Sequence, residues 1–290
     1  VDGRSVNPSR YIALKTVFSA KGNMLQNNLI VCGGKMLTSI ASHRKFAPLA
    51  FLAAFSLLTA SCSAQDDFRR ITVDDWNIDI QCTGSDDADV TVWLEHGIGS
   101  RADASVWTSI MDEVGSFAHV CRYHRPGAGT SPASAPYGPD IYVQRLGGIL
   151  DRVGARKQIV AVGHSFGGYP ARVMAQTWPE RVRELVLIDS ISESLGLPLA
   201  TGVSRWDAVP TGSESIDVRA FEAVMQPALG VPVTVISRDQ DVSPNWAAAQ
   251  QHLLSLNPAS RLITASSSGH MIPLDDPGSI LSAIRAAVEN

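Results

Sequence analysis

The chain has 290 residues, of which 45 % are apolar and 18 % charged, and its formal net charge is −4. These proportions belong to a globular protein rather than a disordered or fibrous one, and the length suits one large domain with a well-buried core. A mildly acidic chain without a long basic run lacks the electrostatic footprint of a nucleic-acid binder, so nucleic acid is not an expected partner.

The N-terminal stretch reads differently from the rest. Residues 1–35 show no convincing periodicity and fit read-through from an upstream start codon, with Met36 as the initiator. After Met36, the basic cluster His43-Arg44-Lys45 precedes an apolar run from Phe46 to Leu58, and Thr59-Ala60-Ser61-Cys62-Ser63-Ala64 closes it. Basic, then apolar, then small is the order of a secretory signal, and the run is short for a membrane span. We therefore expect 1–64 to be an upstream extension and signal peptide outside the fold, and the mature protein to be exported. Leu58-Thr59-Ala60-Ser61-Cys62 resembles a bacterial lipobox, with Thr59 where leucine is usual. Two outcomes stay open: membrane attachment through a lipidated Cys62, or simple cleavage after Ala64.

Downstream the elements follow in regular order. Residues 69–73 and 76–82 alternate polar and apolar side chains around Asp74-Asp75 and predict a hairpin. A Val-rich run at 89–94 predicts a buried strand. Val106, Ile110, Met111 and Val114 recur at helical spacing over 104–114. Residues 119–123 predict a strand, and Pro126-Gly127-Ala128-Gly129 a loop. A helix is expected at 140–153, with Ile141, Leu146, Ile149, Leu150 and Val153 on one side. Strand 158–162 leads into Gly163-His164-Ser165-Phe166-Gly167 and then a helix ending near Pro179. Further strands are expected at 182–188, 232–236 and 262–265, with helices at 245–256 and 279–288. Between 189 and 230 the alternation lapses into a Ser-, Gly- and Pro-rich stretch with a helix-like piece at 218–225. A short cap over about 191–230 fits there.

Strands alternating with helices predict an α/β domain over 65–290: a mostly parallel eight-stranded sheet flanked by helices. Ligands in such sheets bind at the carboxyl ends of the strands. Of the four cysteines, Cys32 and Cys62 fall in the excluded segment. Cys82 ends one predicted strand and Cys121 lies in another. In an exported protein they are a candidate disulfide, with two buried thiols as the alternative. No Cys/His spacing matches a metal site, so neither metal nor cofactor is expected.

Strand, G-x-S-x-G, helix is the signature of a nucleophile elbow, in which a strained turn lifts a serine hydroxyl into a cleft. A serine hydroxyl is a poor nucleophile alone and needs a base, and the base needs an orienting acid. Among seven histidines, His270, just after the last strand, is the expected base of Ser165. His164, inside the elbow, is expected to face away from the cleft. For the acid, the loop Arg238-Asp239-Gln240-Asp241 offers two carboxylates after the seventh strand. Asp241 is preferred on spacing, Asp239 reads as a solvated loop charge, and Asp189 after the sixth strand is the lesser alternative. An oxyanion hole needs two N–H groups. Phe166, directly after the nucleophile, and Ile98, in His96-Gly97-Ile98-Gly99, are the expected donors, with His96 and Gly97 supporting that loop.

Taken together these residues resemble the α/β-hydrolase fold superfamily over roughly 65–290. His96-Gly97 is similar to its oxyanion motif. Tyr123-His124-Arg125-Pro126-Gly127-Ala128-Gly129-Thr130-Ser131 is similar to its D-R-x-G-x-G-x-S turn, with His124 where aspartate is usual. Asp241 and His270 match its acid and base positions. The resemblance implies a serine hydrolase acting through an acyl-enzyme without a cofactor. A small-molecule or lipid ester is the expected substrate. Thioesterase, lactonase, perhydrolase, amidase, C–C hydrolase and lyase chemistry use the same residues, and a non-catalytic binding module is a further alternative.

Overall fold

A computed structural model describes residues 15–20, 23–32, 35–38, 68–98, 104–155, 157–195, 214 and 216–290. The chain divides into two units, 1–66 and 67–290.

The first unit holds a three-stranded antiparallel sheet, β1 (Lys15–Ala20), β2 (Asn23–Cys32) and β3 (Lys35–Thr38). Periodicity in the sequence does not announce these strands. The registers Ala20↔Asn23 and Cys32↔Lys35 leave two residues between strands. These are Lys21-Gly22 and Gly33-Gly34, and Gly-containing pairs of that length are a hairpin signal. The signal-like stretch and Cys62 lie outside the described residues.

The second unit carries an eight-stranded sheet. Its strands are β4 (Arg69–Val73), β5 (Trp76–Thr83), β6 (Val90–Glu95), β7 (His119–Tyr123), β8 (Gln158–His164), β9 (Val182–Ile188), β10 (Val233–Arg238) and β11 (Arg261–Ala265). Their spatial order is β11-β10-β9-β8-β6-β7-β5-β4. Only the β4–β5 and β5–β7 pairings are antiparallel. The six remaining strands run parallel, so their carboxyl ends share one rim. All eight strands stand where the pattern predicts them.

The helices are α1 (Thr108–Gly115), α2 (Pro139–Arg152), α3 (Gly168–Thr177), α4 (Val218–Ala223), α5 (Pro244–Leu254), α6 (Ile272–Asp275) and α7 (Pro277–Glu289). Neighbouring residues of the central strands go to opposite faces. Trp93, Ala161, Leu185 and Leu187 meet Leu146, Ile149 and Leu150 of α2, Met174 of α3 and Leu253 of α5. Val92, Leu94, Val160, Val162, Val186 and Ile188 meet Ile110 and Val114 of α1 and Ile280 and Ile284 of α7. A strand buried on both faces reads as a continuous apolar run, which is why the period of two is silent in the sequence there. Ser243 and Asp276 cap α5 and α7 by accepting the Trp246 and Ser279 N–H groups, satisfying donors that a helix start leaves free.

Of the expected cap, 196–213 and 215 lie outside the described residues. α4 is present, and its Phe221 is fully buried against Tyr142 and Phe166. Cys82 and Cys121 face each other across β5 and β7 and are joined as a disulfide. Closing a loop with a sequence separation of 39 stabilises by up to about 4 kcal/mol in the chain-entropy account.

Candidate active site

Ser165 sits between the end of β8 and the start of α3 at φ 56°, in the left-handed region that costs a non-glycine residue free energy. Close packing holds it there. A Cβ on Gly163 would stand 2.5 Å from the Gly167 carbonyl oxygen, and one on Gly167 would stand 2.3 Å from the Glu95 carbonyl oxygen. Neither position tolerates a side chain, so the end of β6 and the turn after β8 touch backbone to backbone. Ser190 ties the next strand to the same turn, its Oγ–H donating to Gly163 O at 2.8 Å. Ser165 is only 9 % exposed.

His270 reaches the serine. Ser165 Oγ lies 2.9 Å from His270 Nε2, the placement in which the hydroxyl donates to the base. The other ring nitrogen, Nδ1, donates to Asp189 Oδ2 at 2.6 Å. Asp189 is fully buried, stands at φ 40°, and also accepts the Trp246 indole N–H at 2.7 Å through Oδ1. The Trp246 ring meets His270 edge-on, with centroids 5.8 Å apart.

The acid position therefore corrects the sequence expectation. Asp241 is exposed, at φ 53°, on the loop before α5, and Asp189 occupies the place beside His270. The register explains the difference. His164 pairs with Ile188, so Asp189 follows β9 level with Ser165 on the adjacent strand, one strand spacing away. β10 lies one strand farther out, and Asp241 is three residues past its end. Asp239 serves elsewhere. Its carboxylate accepts the Ser267 and Ser268 N–H groups at 2.9 and 3.0 Å, bracing the loop that carries His270.

His164 does not turn away from the site. Its Nε2–H donates to the His270 carbonyl at 2.8 Å, and the two rings lie 5.0 Å apart. Complete burial lowers its pKa to about 4, helped by the nearby His270 and opposed by the hydrogen bond to His270 O. It is a neutral donor that fixes the backbone of the base.

On the other side of the site, Phe166 is the second residue of the short 3-10 turn Ser165–Gly167 that runs into α3, where free N–H groups and the helix dipole favour negative charge. The Ile98 N–H is aimed by its own peptide. Gly97 O accepts from His96 Nδ1–H at 2.7 Å and from Arg125 Nη2. In a trans peptide the N–H points opposite to the C=O, so pulling Gly97 O toward Arg125 turns Ile98 N–H the other way. His96 is buried and accepts the Arg125 backbone N–H at 3.3 Å, tying this loop to the turn after β7. Gly99 lies outside the described residues.

Arg125 had no assigned role in the sequence. It is fully buried and also donates to His96 O at 2.7 Å, Glu95 Oε2 at 3.2 Å and Glu214 Oε1 at 3.1 Å. Burial opposes its charge, but Glu214 and Glu95 outweigh that and raise its pKa. Glu95 in turn accepts from Trp93, Tyr123 and Tyr142, each at 2.8 Å. The aspartate that His124 displaces is answered by Asp79, which accepts from Arg70 and from Thr130 Oγ–H at 2.5 Å, while Ser131 Oγ–H donates to His124 O at 2.7 Å.

A family model described as alpha/beta hydrolase fold matches residues 90–210. The 2-hydroxymuconate semialdehyde hydrolase of Pseudomonas sp. (strain CF600) is 35 % identical over 134 residues, 44 % of this chain and 46 % of that protein. Lipase LipV of Mycobacterium tuberculosis is 33 % identical over 121 residues, 38 % of this chain and 46 % of that protein. The chain thus spans less than half the length of these curated relatives. Among solved structures, the enol-lactonase from Burkholderia xenovorans LB400 superposes with a TM-score of 0.61 at 16 % identity, covering 77 % of this chain and 100 % of that one. A thermophilic esterase from Thermogutta terrifontis gives 0.60 at 18 % identity, covering 76 % and 98 %. At such identities the likeness is one of fold.

This geometry makes two testable predictions. Asp189→Asn slows labelling of Ser165 by a fluorophosphonate by roughly 10³–10⁴-fold, because the imidazole loses its orienting charge and tautomer, whereas Asp241→Asn stays within about twofold. Circular dichroism checks that both variants are folded, and the reverse ranking would return the acid to Asp241. The second concerns pH. An unfolded histidine titrates near 6.5 and folded His164 near 4, so between these values the unfolded chain binds more protons and stability falls as pH drops. The loss is about 3 kcal/mol. Urea unfolding at pH 7 and pH 4 resolves it, and His164→Gln, which keeps an N–H donor, shows a correspondingly shallower decline.

Proposed function

We propose that this chain, which matches the alpha/beta hydrolase fold family model over residues 90–210 and shares the fold of solved hydrolases, is a serine hydrolase of that superfamily cleaving a small-molecule or lipid carboxylic ester. The observation that carries the reading is the continuous line from Ser165 Oγ through His270 to Asp189, at 2.9 and 2.6 Å. Ser165 Oγ attacks the carbonyl carbon as His270 Nε2 takes its proton. Asp189 holds Nδ1–H and stabilises the imidazolium. The Phe166 and Ile98 N–H groups receive the oxyanion. Collapse breaks the C–O bond, and the His270 proton goes to the leaving alcohol. Water then attacks the acyl-enzyme with His270 again as base, releasing the acid and restoring Ser165.

Two of the buried cations are already matched by carboxylates. Arg125 is matched by Glu95 and Glu214, and Arg172 by Glu193. Burial alone would raise the Glu193 pKa, but the Arg172 hydrogen bonds and charge outweigh it and hold the carboxyl at about 2. Neither arginine is left to receive a substrate carboxylate. Export is proposed with this function, supported by the basic, apolar and small order before residue 65 and by the Cys82–Cys121 disulfide.

A second reading has its own support. Relatives at 33–36 % identity include hydrolases of 2-hydroxymuconate semialdehyde and of 2-hydroxy-6-oxo-2,4-heptadienoate, and the same serine, histidine and aspartate would serve cleavage beside a ketone. Turnover of p-nitrophenyl esters from acetate to palmitate, set beside a 2-hydroxy-6-oxo-dienoate, separates the two. We expect ester hydrolysis that falls by several powers of ten in Ser165→Ala. Turnover of the dienoate alone would give the second reading its place, and ester turnover unchanged in Ser165→Ala would remove both.

A further inference from the structure

At the opposite end of the sheet from Ser165, three metal-ligating side chains converge. His119 and Cys121 lie two residues apart on β7 and share a face, and Cys82 stands directly across on β5. The ligand atoms of all three lie within 4.8 Å of one another. His119 Nε2 is 3.8 Å from Cys121 Sγ and 3.7 Å from Asp86 Oδ1. We propose that this cluster is a redox-gated site for a zinc-like divalent cation, held by Cys82, Cys121, His119 and Asp86 once the disulfide is reduced.

The donor set and its spacing support this. Zinc bonds of about 2.3 Å to sulfur and 2.0–2.1 Å to nitrogen or oxygen, at tetrahedral angles, place donors roughly 3.3–3.8 Å apart. The two contacts of His119 Nε2 already fall at that separation. Only the sulfurs are closer, because they are bonded to each other, and breaking that bond lets their side chains rotate apart. The imidazole is prepared for ligation. Nδ1 lies 3.3 Å from Thr91 Oγ1, an outer partner of the kind that orients a metal-bound histidine and leaves Nε2 turned toward the sulfurs. His119 is 2 % exposed, so its ring is held by packing beside the two sulfurs. Asp86 is exposed and lies beside His119 alone, two residues after Gly84, whose φ of 95° and close approach to the Ala118 carbonyl leave no room for a Cβ. The cluster opens on a cleft of about 620 Å³ whose charged lining is Asp86, Asp87 and Asp151 together with Arg69 and Arg152, so the site is open to solvent.

The switch between states is a balanced exchange. A small dithiol reductant supplies two electrons and two protons, breaks the Cys82–Cys121 bond and leaves as its own cyclic disulfide. The cation then displaces the two thiol protons to solvent and binds the thiolates. In the disulfide form neither sulfur carries the charge that ligation needs.

The test uses the full chain with Cys32→Ser and Cys62→Ser, so that only this pair can ligate, and Co²⁺ as the spectroscopic probe. After dithiol reduction and removal of the reagent under argon, we expect one Co²⁺ per chain, with the near-ultraviolet thiolate charge-transfer band and the visible bands of a tetrahedral ion. Without reduction neither appears. Cys82→Ser abolishes the signal, and His119→Gln and Asp86→Asn each weaken binding by roughly tenfold or more. A folded, reduced chain that takes up no Co²⁺, or takes it up equally well in His119→Gln, overturns the proposal. If reduction alone unfolds the chain by circular dichroism, refolding on addition of Zn²⁺ supports the site and failure to refold overturns it.

Discussion

The backbone contact between the end of β6 and the turn after β8 governs the rest of the site. Gly167 touches the Glu95 carbonyl so closely that no Cβ fits between them. That contact sets the depth of the turn and forces Ser165 into its left-handed conformation. It also fixes where the two proposed oxyanion donors stand, since Phe166 lies on one side of the contact and the loop from His96 to Ile98 leaves from the other. Neighbouring strands are registered to the same turn, through the pairing of His164 with Ile188 and the bond from Ser190 to Gly163 O. The strain at Ser165 persists because the packing around it over-determines it.

Beneath this contact lies a buried charged network whose role is geometry more than stability. Glu95, Arg125 and Glu214 are withdrawn from water, and taking charges out of water costs about as much as their attraction returns unless the remaining hydrogen-bonding positions are filled. Here many are. Glu95 receives three neutral donors besides Arg125, and Arg125 makes two further bonds to the His96 and Gly97 carbonyls. The result is a fixed orientation of the Gly97–Ile98 peptide. Glu214 adds a link from the segment before α4 to the same guanidinium, so the cap region and the oxyanion loop share one cation.

Much of this was legible in the residue order. Alternation and apolar runs located all eight strands of the second unit, and the strained turn at Ser165, the histidine beside it and the loop after β6 stand where short motifs point. The acid was not legible in the same way. Asp189 and Asp241 both follow parallel strands, and only the spatial order of β8, β9 and β10 shows which carboxylate stands level with Ser165. Arg125 lay within a recognised turn, yet its targets are main-chain carbonyls about 30 residues earlier, which no local spacing reports. The cluster of Cys82, His119 and Cys121 escaped for a related reason, because its ligands meet across two strands rather than along a short motif. The strands of residues 15–38 were missed although their Gly-containing connecting pairs stand in the sequence.

Everything proposed for the catalytic centre depends on Ser165 being the one activated nucleophile of the chain. Titration with a chromogenic organophosphate, read both as the burst of released leaving group and by peptide mass mapping, tests that most directly. The expected result is one equivalent of leaving group per chain and a single phosphoryl adduct on Ser165, formed more slowly as His270 becomes protonated. An adduct on another residue, or no burst from a folded chain, would contradict it.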